Sequence, residues 1–226
     1  MTELFSLIIT LGFYLLARKL SARGNNHPLL SPALLAIAAV CVVLLLLNIS
    51  YKDYFQGARP IHFMLGPATV AFALPLYNQF ARLKKLLLPL IISLTIGSAI
   101  GILSAVFLGH VVGLPHEILL SLSPKSVTTP IAMGIADKIG GVASLATVFV
   151  MITGLVGAAS ATTVLNLVKV HDPAVRGFAL GLSSHGLGTA RAFQVDQVAG
   201  AFAGLAMALN GLMTALLIPL LMVLFP

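Results

Sequence analysis

Residues 123–132 read Ser-Pro-Lys-Ser-Val-Thr-Thr-Pro-Ile-Ala, set between the apolar runs Ile-Leu-Leu-Ser-Leu and Met-Gly-Ile-Ala. Pro124 and Pro130 cannot both lie inside one regular helix, because each removes a backbone donor and clashes with the carbonyl one turn earlier. Between them stand one cation, Lys125, and three hydroxyls, Ser126, Thr128 and Thr129. At membrane depth, irregular backbone is tolerated only where it is buried in protein or lines a watery cavity. An ionisable group at that depth marks a functional site. If its flanks are membrane segments, the stretch is therefore a broken helix with a charge at the break.

The composition supplies the membrane. The chain has 226 residues, 59% hydrophobic and 8% charged, with a mean hydropathy of +1.07; a soluble domain carries about 25% charged residues. The runs 86–116, 139–168 and 197–226 contain no Asp, Glu, Lys or Arg, and each exceeds the about 20 residues that cross a bilayer. The expected fold is all-α: a polytopic transmembrane bundle of about seven to eight membrane segments, with two or more Pro/Gly-broken helices and a transporter-like arrangement. It forms one integral membrane domain over 1–226. Residues 1–60 supply peripheral helices, and 61–226 a core with broken segments near 62–78, 118–136 and 181–192. The first apolar run, 4–17, follows an acid rather than basic residues and reads as a retained helix, not a cleaved signal.

Thirteen Lys and Arg against six Asp and Glu give a net charge of +7. The basic residues fall in short gaps between apolar runs, as the positive-inside rule expects, and no basic face for nucleic acid emerges. Arg18, Lys19 and Arg23, then Arg82, Lys84 and Lys85, mark cytoplasmic loops, which places the N-terminus outside. The loop with Lys169, His171, Asp172 and Arg176 is ambiguous. It lies outside if 118–136 crosses the membrane fully, and inside if that segment is re-entrant. The lone Cys41 excludes an internal disulfide or a thiolate metal cluster. No His-Glu-x-x-His motif and no paired intramembrane carboxylates occur, so neither metal nor cofactor is expected, and no enzymatic activity.

A second polar intrusion, 181–192, reads Gly-Leu-Ser-Ser-His-Gly-Leu-Gly-Thr-Ala-Arg-Ala. Its glycines, Gly186 and Gly188 among them, are expected to free the backbone, as Pro67, Pro124 and Pro130 do elsewhere. Lys125 from one break, with His185, Thr189 and Arg191 from the other, can face one cavity. Arg grips a carboxylate bidentately and Lys acts as a point charge, while free N–H groups at half-helix N-termini add positive potential. Ser126, Thr128 and Thr129 can read a second oxygen. That describes a site for a small organic anion. The motif Leu65-x-Pro67-x-Thr69-Val70 recurs as Leu122-x-Pro124-x-Ser126-Val127, and paired broken spans in two halves point to a transporter site. Small-residue faces at Gly97 and Gly101, at Gly154, Gly157, Ala158, Ala159 and Ser160, and at Gly200 and Gly204 suit close helix packing.

The runs Leu-Gly-Pro-Ala-Thr-Val-Ala, Pro-Lys-Ser-Val-Thr-Thr-Pro-Ile-Ala and Ser-His-Gly-Leu-Gly-Thr-Ala-Arg occur in this order. On these residues the chain resembles the LrgB/CidB family of bacterial membrane proteins, antiholin-like regulators of murein hydrolase export. The family is in turn similar to the C-terminal half of the plastid glycolate/glycerate translocator. The resemblance implies a multi-pass protein of the bacterial cytoplasmic (inner) membrane. It implies a short 2-oxo or 2-hydroxy monocarboxylate substrate, of the pyruvate, glycolate and glycerate class. A small holin-like partner of the LrgA/CidA type and a homo-oligomer are further expectations. It also implies a rival role, control of autolysis through that partner. The resemblance also implies a Glu soon after the Thr-Ala-Arg run, where this chain has Gln194.

Overall fold

A computed structural model describes residues 2–24, 30–64, 67, 74 and 77–222. The described residues are all-helical, in two compact units, 1–71 and 72–226. The first unit holds α1 (Thr2–Arg23), α2 (Pro32–Leu46) and α3 (Tyr51–Phe63), with α1 packed on both others. Ser50 caps α3 by accepting from the Asp53 N–H, and Thr10 of α1 meets the Tyr54 hydroxyl at 2.8 Å. The nearly charge-balanced stretch 52–59 winds into α3, held by that cap and by the α1 contact. Most of the proline-rich stretch 62–78, including Pro75, lies outside the described residues, and so do Leu65, Thr69 and Val70 of the first copy of the repeat.

The second unit runs α4 (Phe80–Val111), α5 (His116–Leu122), α6 (Thr129–Ile139), α7 (Ala143–Leu167), α8 (Pro173–Val195) and α9 (Gln197–Met222). Among the described residues, α1, α4, α7 and α9 are long and apolar enough to cross a membrane, and α2 is a shorter apolar helix. Burial separates their roles. In the most apolar window of α9 56% of residues are buried, against 17% in α4 and 11% in α7. α9 is thus the central post. Leu88, Ile96, Ile100 and Phe107 of α4 and Val148, Ile152 and Val156 of α7 are exposed, as apolar side chains that meet lipid are.

Between these long helices the chain twice turns back on itself. α5 and α6 are each too short to cross. Val142 N–H donates to Ser121 Oγ at 2.7 Å, so the chain leaves α6 beside the end of α5. The break 123–128 penetrates to Val127, which is fully buried against Val150, two turns into α7, and α6 returns with Ala132 and Ala136 on Ala146 and Val150. Pro130 sits in the first turn of α6 after Thr128, where a missing donor costs nothing. Gly140, at φ 87°, ends α6 in the left-handed conformation that favours glycine.

α8 reverses at one residue. His185 has φ 42° and ψ −130°, and limbs 173–184 and 186–195 fold together around it. A Cβ on Gly188 would fall on the Leu180 carbonyl, although a straight helix would hold those residues about 12 Å apart. This revises the expected role of the glycines in 181–192. Gly186 and Gly188 lie in the regular second limb, and Gly188 lets the limbs touch; the reversal falls on the histidine.

The two hairpins enter from opposite ends of α7. The first begins beside its N-terminus. The second begins at its C-terminus, where Arg176 donates to Asn166 Oδ1 and Val170 O at 2.8 and 2.9 Å. Arg82 at the start of α4 pairs with Asp172 at 2.5 Å. The loop before α8 therefore shares an end with Arg82, Lys84 and Lys85, the end that the positive-inside rule puts in the cytoplasm. Val142 beside Ser121 and Asp172 on Arg82 fit the alternative in which 118–136 turns back.

Not every glycine is a contact. Gly134, inside α6, has nothing within 4 Å of where a Cβ would stand. Gly134→Ala is expected to stabilise the fold by about 0.5–1 kcal/mol, by removing backbone freedom from the unfolded chain. Thermal unfolding in detergent, followed by circular dichroism, checks this; a lower midpoint would show that α6 needs the glycine.

Candidate functional site at two opposed hairpin tips

The hairpin tips meet on one side chain. Asn210, at the middle of α9 and fully buried, donates from Nδ2 to Ser126 O of the first tip at 3.1 Å and to Leu182 O of the second at 2.9 Å. Its Oδ1 accepts from Ser98 of α4 at 2.7 Å and from Thr214 at 3.3 Å. All four hydrogen-bonding positions of the amide are used, and the two carbonyl partners fix which way it faces. Asn210 and Ser98 are not among the site residues that the sequence points to. The available signal was an amide in the middle of a strongly apolar helix, which has to find partners inside the protein.

The first tip presents Lys125, half-buried, together with the half-buried Thr128 and Thr129 and the buried Ser126. A Cβ on Gly101 would touch the Ser126 hydroxyl at 3.6 Å, so α4 closes one side of this tip. No carboxylate among the described residues lies within ion-pair distance of Lys125; their one salt bridge joins Arg82 and Asp172.

At the second tip His185 Nε2 lies 2.9 Å from Val150 O and donates to it, since a carbonyl can only accept. Thr189 Oγ donates to His185 O at 2.8 Å. The histidine, at 5% exposure, fits because Gly154 of α7 leaves it room: a Cβ there would lie 2.6 Å from the ring. Gly157 makes the same room for Ser184. The small-residue face of α7 is thus a seat for the second tip.

Arg191 points elsewhere. It lies six residues past His185, about 9 Å along the second limb, and lines a cavity of about 200 Å³ at the base of that hairpin with His171, Arg176 and Asp196. Lys125, Ser126, Thr128 and Thr129 are not among the residues lining this cavity. Arg191 also donates to Gln194 Oε1 at 3.3 Å. Among the described residues, no group of three or more His, Cys, Asp or Glu can hold a metal ion.

Fold and site together define a multi-pass helical membrane protein with two interrupted helical segments. The chain belongs to the LrgB-like family, whose model matches residues 10–224. It is 38% identical to the uncharacterized protein YwbG of Bacillus subtilis over 96% of both chains. It is 31% identical to the holin-like protein CidB of Staphylococcus epidermidis, over 97% of this chain and 95% of the relative. It is 30% identical to the antiholin-like protein LrgB of Bacillus cereus, over 98% and 96%. No solved structure matches. The membership and the apolar helices place the chain in a bacterial membrane as a multi-pass protein.

Proposed function

We propose that the chain is a carrier, not an enzyme, for small 2-oxo or 2-hydroxy monocarboxylates, working by alternating access. One observation carries this reading: two broken hairpins enter from opposite ends of α7 and meet on Asn210 near mid-height. Interrupted segments converging at the bilayer midplane are where secondary transporters bind substrate. Lys125 supplies the charge for the carboxylate. Ser126, Thr128 and Thr129, with His185 and Thr189 opposite, read the 2-oxygen and shape the site. The transporter-like count of seven to eight segments belongs to this reading, with each hairpin taken as one segment, and no cofactor is required.

Uptake of radiolabelled pyruvate and glycolate into proteoliposomes tests it. Saturable uptake is expected for the wild type. Lys125→Ala should weaken it about tenfold to a hundredfold, since a hydrogen bond to a charged group contributes about 1.5–3 kcal/mol. Equal uptake by the two proteins would remove Lys125 from the site. Leakage of unrelated large solutes would sink the carrier.

A second reading has its own support, and the relatives' names favour it over transport. Holin-like and antiholin-like relatives suggest a regulator of murein hydrolase export and autolysis, acting through an LrgA/CidA-type partner or a homo-oligomer. Gly200 cannot serve as the marker of that interface, because its Cβ position already falls on the Phe193 ring within the chain. Co-purification with such a partner, and recovery of uptake only when it is added, separates a two-component carrier from a pure regulator.

A further inference from the structure

The geometry points to a second anion site, away from the tips, in the cavity at the base of the α8 hairpin. We assign it a compact oxyanion, a carboxylate or phosphate group. The cavity, about 200 Å³, opens between the two limbs of the hairpin, with Thr162 and Leu165 of α7 on one side and Ala199 of α9 on the other. Its size suits a few heavy atoms rather than a large metabolite.

The polar groups are arranged for negative charge. Arg176 comes from the first limb, Arg191 from the second, and His171 from the loop between α7 and α8. Arg176 is anchored through Nη1 to Asn166 Oδ1 and Val170 O, both neutral acceptors, so its position is fixed while its charge is not cancelled by them. Asp196 keeps its charge, so the lining sets two guanidiniums against one carboxylate. Asp196, in the cavity wall, accepts from the Ala199 N–H at 2.9 Å as the cap of α9. Asp172 accepts from Ala174 and Val175 N–H at 2.8 and 3.2 Å and pairs with Arg82. Two guanidiniums across a small cleft favour an oxyanion because each presents a planar fork of donors. The apolar wall of Leu165, Leu180 and Ala192 strengthens that attraction by excluding water.

The cavity lies at the end that carries Arg82, Lys84 and Lys85. Such an anion can be a free small carboxylate or phosphate, or the phosphate of a lipid headgroup. The inference stands apart from the carrier reading, which rests on the tips.

Calorimetric titration of the purified full chain in neutral detergent, with inorganic phosphate and separately with glycolate, tests it. Wild type is expected to bind both. Arg191→Gln should weaken phosphate binding at least tenfold. So should Val195→Phe, which narrows the cavity and keeps both arginines, provided each variant runs as a monodisperse peak. Phosphate binding untouched by both variants, or lost in Lys125→Ala while they retain it, would overturn the assignment; the second pattern would move the anion to the tips. Repeating the titration in nanodiscs with and without phosphatidylglycerol separates the sources. Competition by the anionic lipid identifies a headgroup in the same site, and its absence identifies the soluble anion.

Discussion

Gly181→Ala is expected to prevent the chain from folding to its native packing, or to leave it aggregating on extraction into detergent. A Cβ at Gly181 would fall on the Ala203 carbonyl, and Gly177, one turn earlier, stands in the same relation to Ala199. The obstacle is backbone, so no rotamer change relieves it. The first limb of α8 would have to move off α9, and that movement would unseat Phe178, which packs with Leu94, Phe202 and Ala206 in the core. Overpacking a tight core costs about 1–3 kcal/mol where side chains can adjust, and a backbone clash belongs at or above the top of that range. Size-exclusion chromatography and circular dichroism read the outcome, with Gly134→Ala as the matched control on an open helix face. A monodisperse Gly181→Ala protein of unchanged thermal midpoint would show that α8 and α9 are not in this contact.

Asn210→Leu should be nearly as damaging, for a different reason: four partners lose their bonds. Two backbone carbonyls, at Ser126 and Leu182, and two hydroxyls, at Ser98 and Thr214, would be left unsatisfied in a dry interior. Each such group costs about 1–3 kcal/mol in a soluble protein, and rather less in a membrane, where hydrogen bonds average about 0.6 kcal/mol. A total near 3 kcal/mol is expected. Ser98→Ala should cost well under half of that, because Thr214 still occupies Oδ1. Thermal denaturation of the single variants, and of the Ser98→Ala/Asn210→Leu pair, checks it. The double variant should be no less stable than Asn210→Leu alone, since the hydroxyl is already orphaned. Full additivity would mean that the two side chains do not share one network.

The sequence alone settles much of this protein. Its long uncharged runs require membrane helices, and Pro124 and Pro130 require a break between them, because neither depends on what packs nearby. The motifs around Pro124 and His185 carry the family resemblance, which the match over residues 10–224 bears out. Local chemistry also predicts the turn after α6, where Gly140 takes a positive φ.

Other features are decided only by contacts between distant residues. The sequence places flexibility in 181–192 on its glycines. Yet the reversal falls on His185, a strained conformation held by a hydrogen bond from its ring to Val150, 35 residues away. Whether the first broken segment crosses or returns depends on Val142 reaching Ser121 and on Val127 meeting Val150, contacts that hydropathy does not encode. Lys125 and Arg191 look like partners in one motif-rich region, but a limb of helix carries Arg191 towards the base of its hairpin. Asn210, a single amide in an apolar helix, becomes the meeting point of both tips only because folding brings Ser98, Ser126 and Leu182 around it. Proline and charge act on their own stretch of chain. A carbonyl released at a break can be satisfied only by whatever the tertiary fold puts within three ångströms of it.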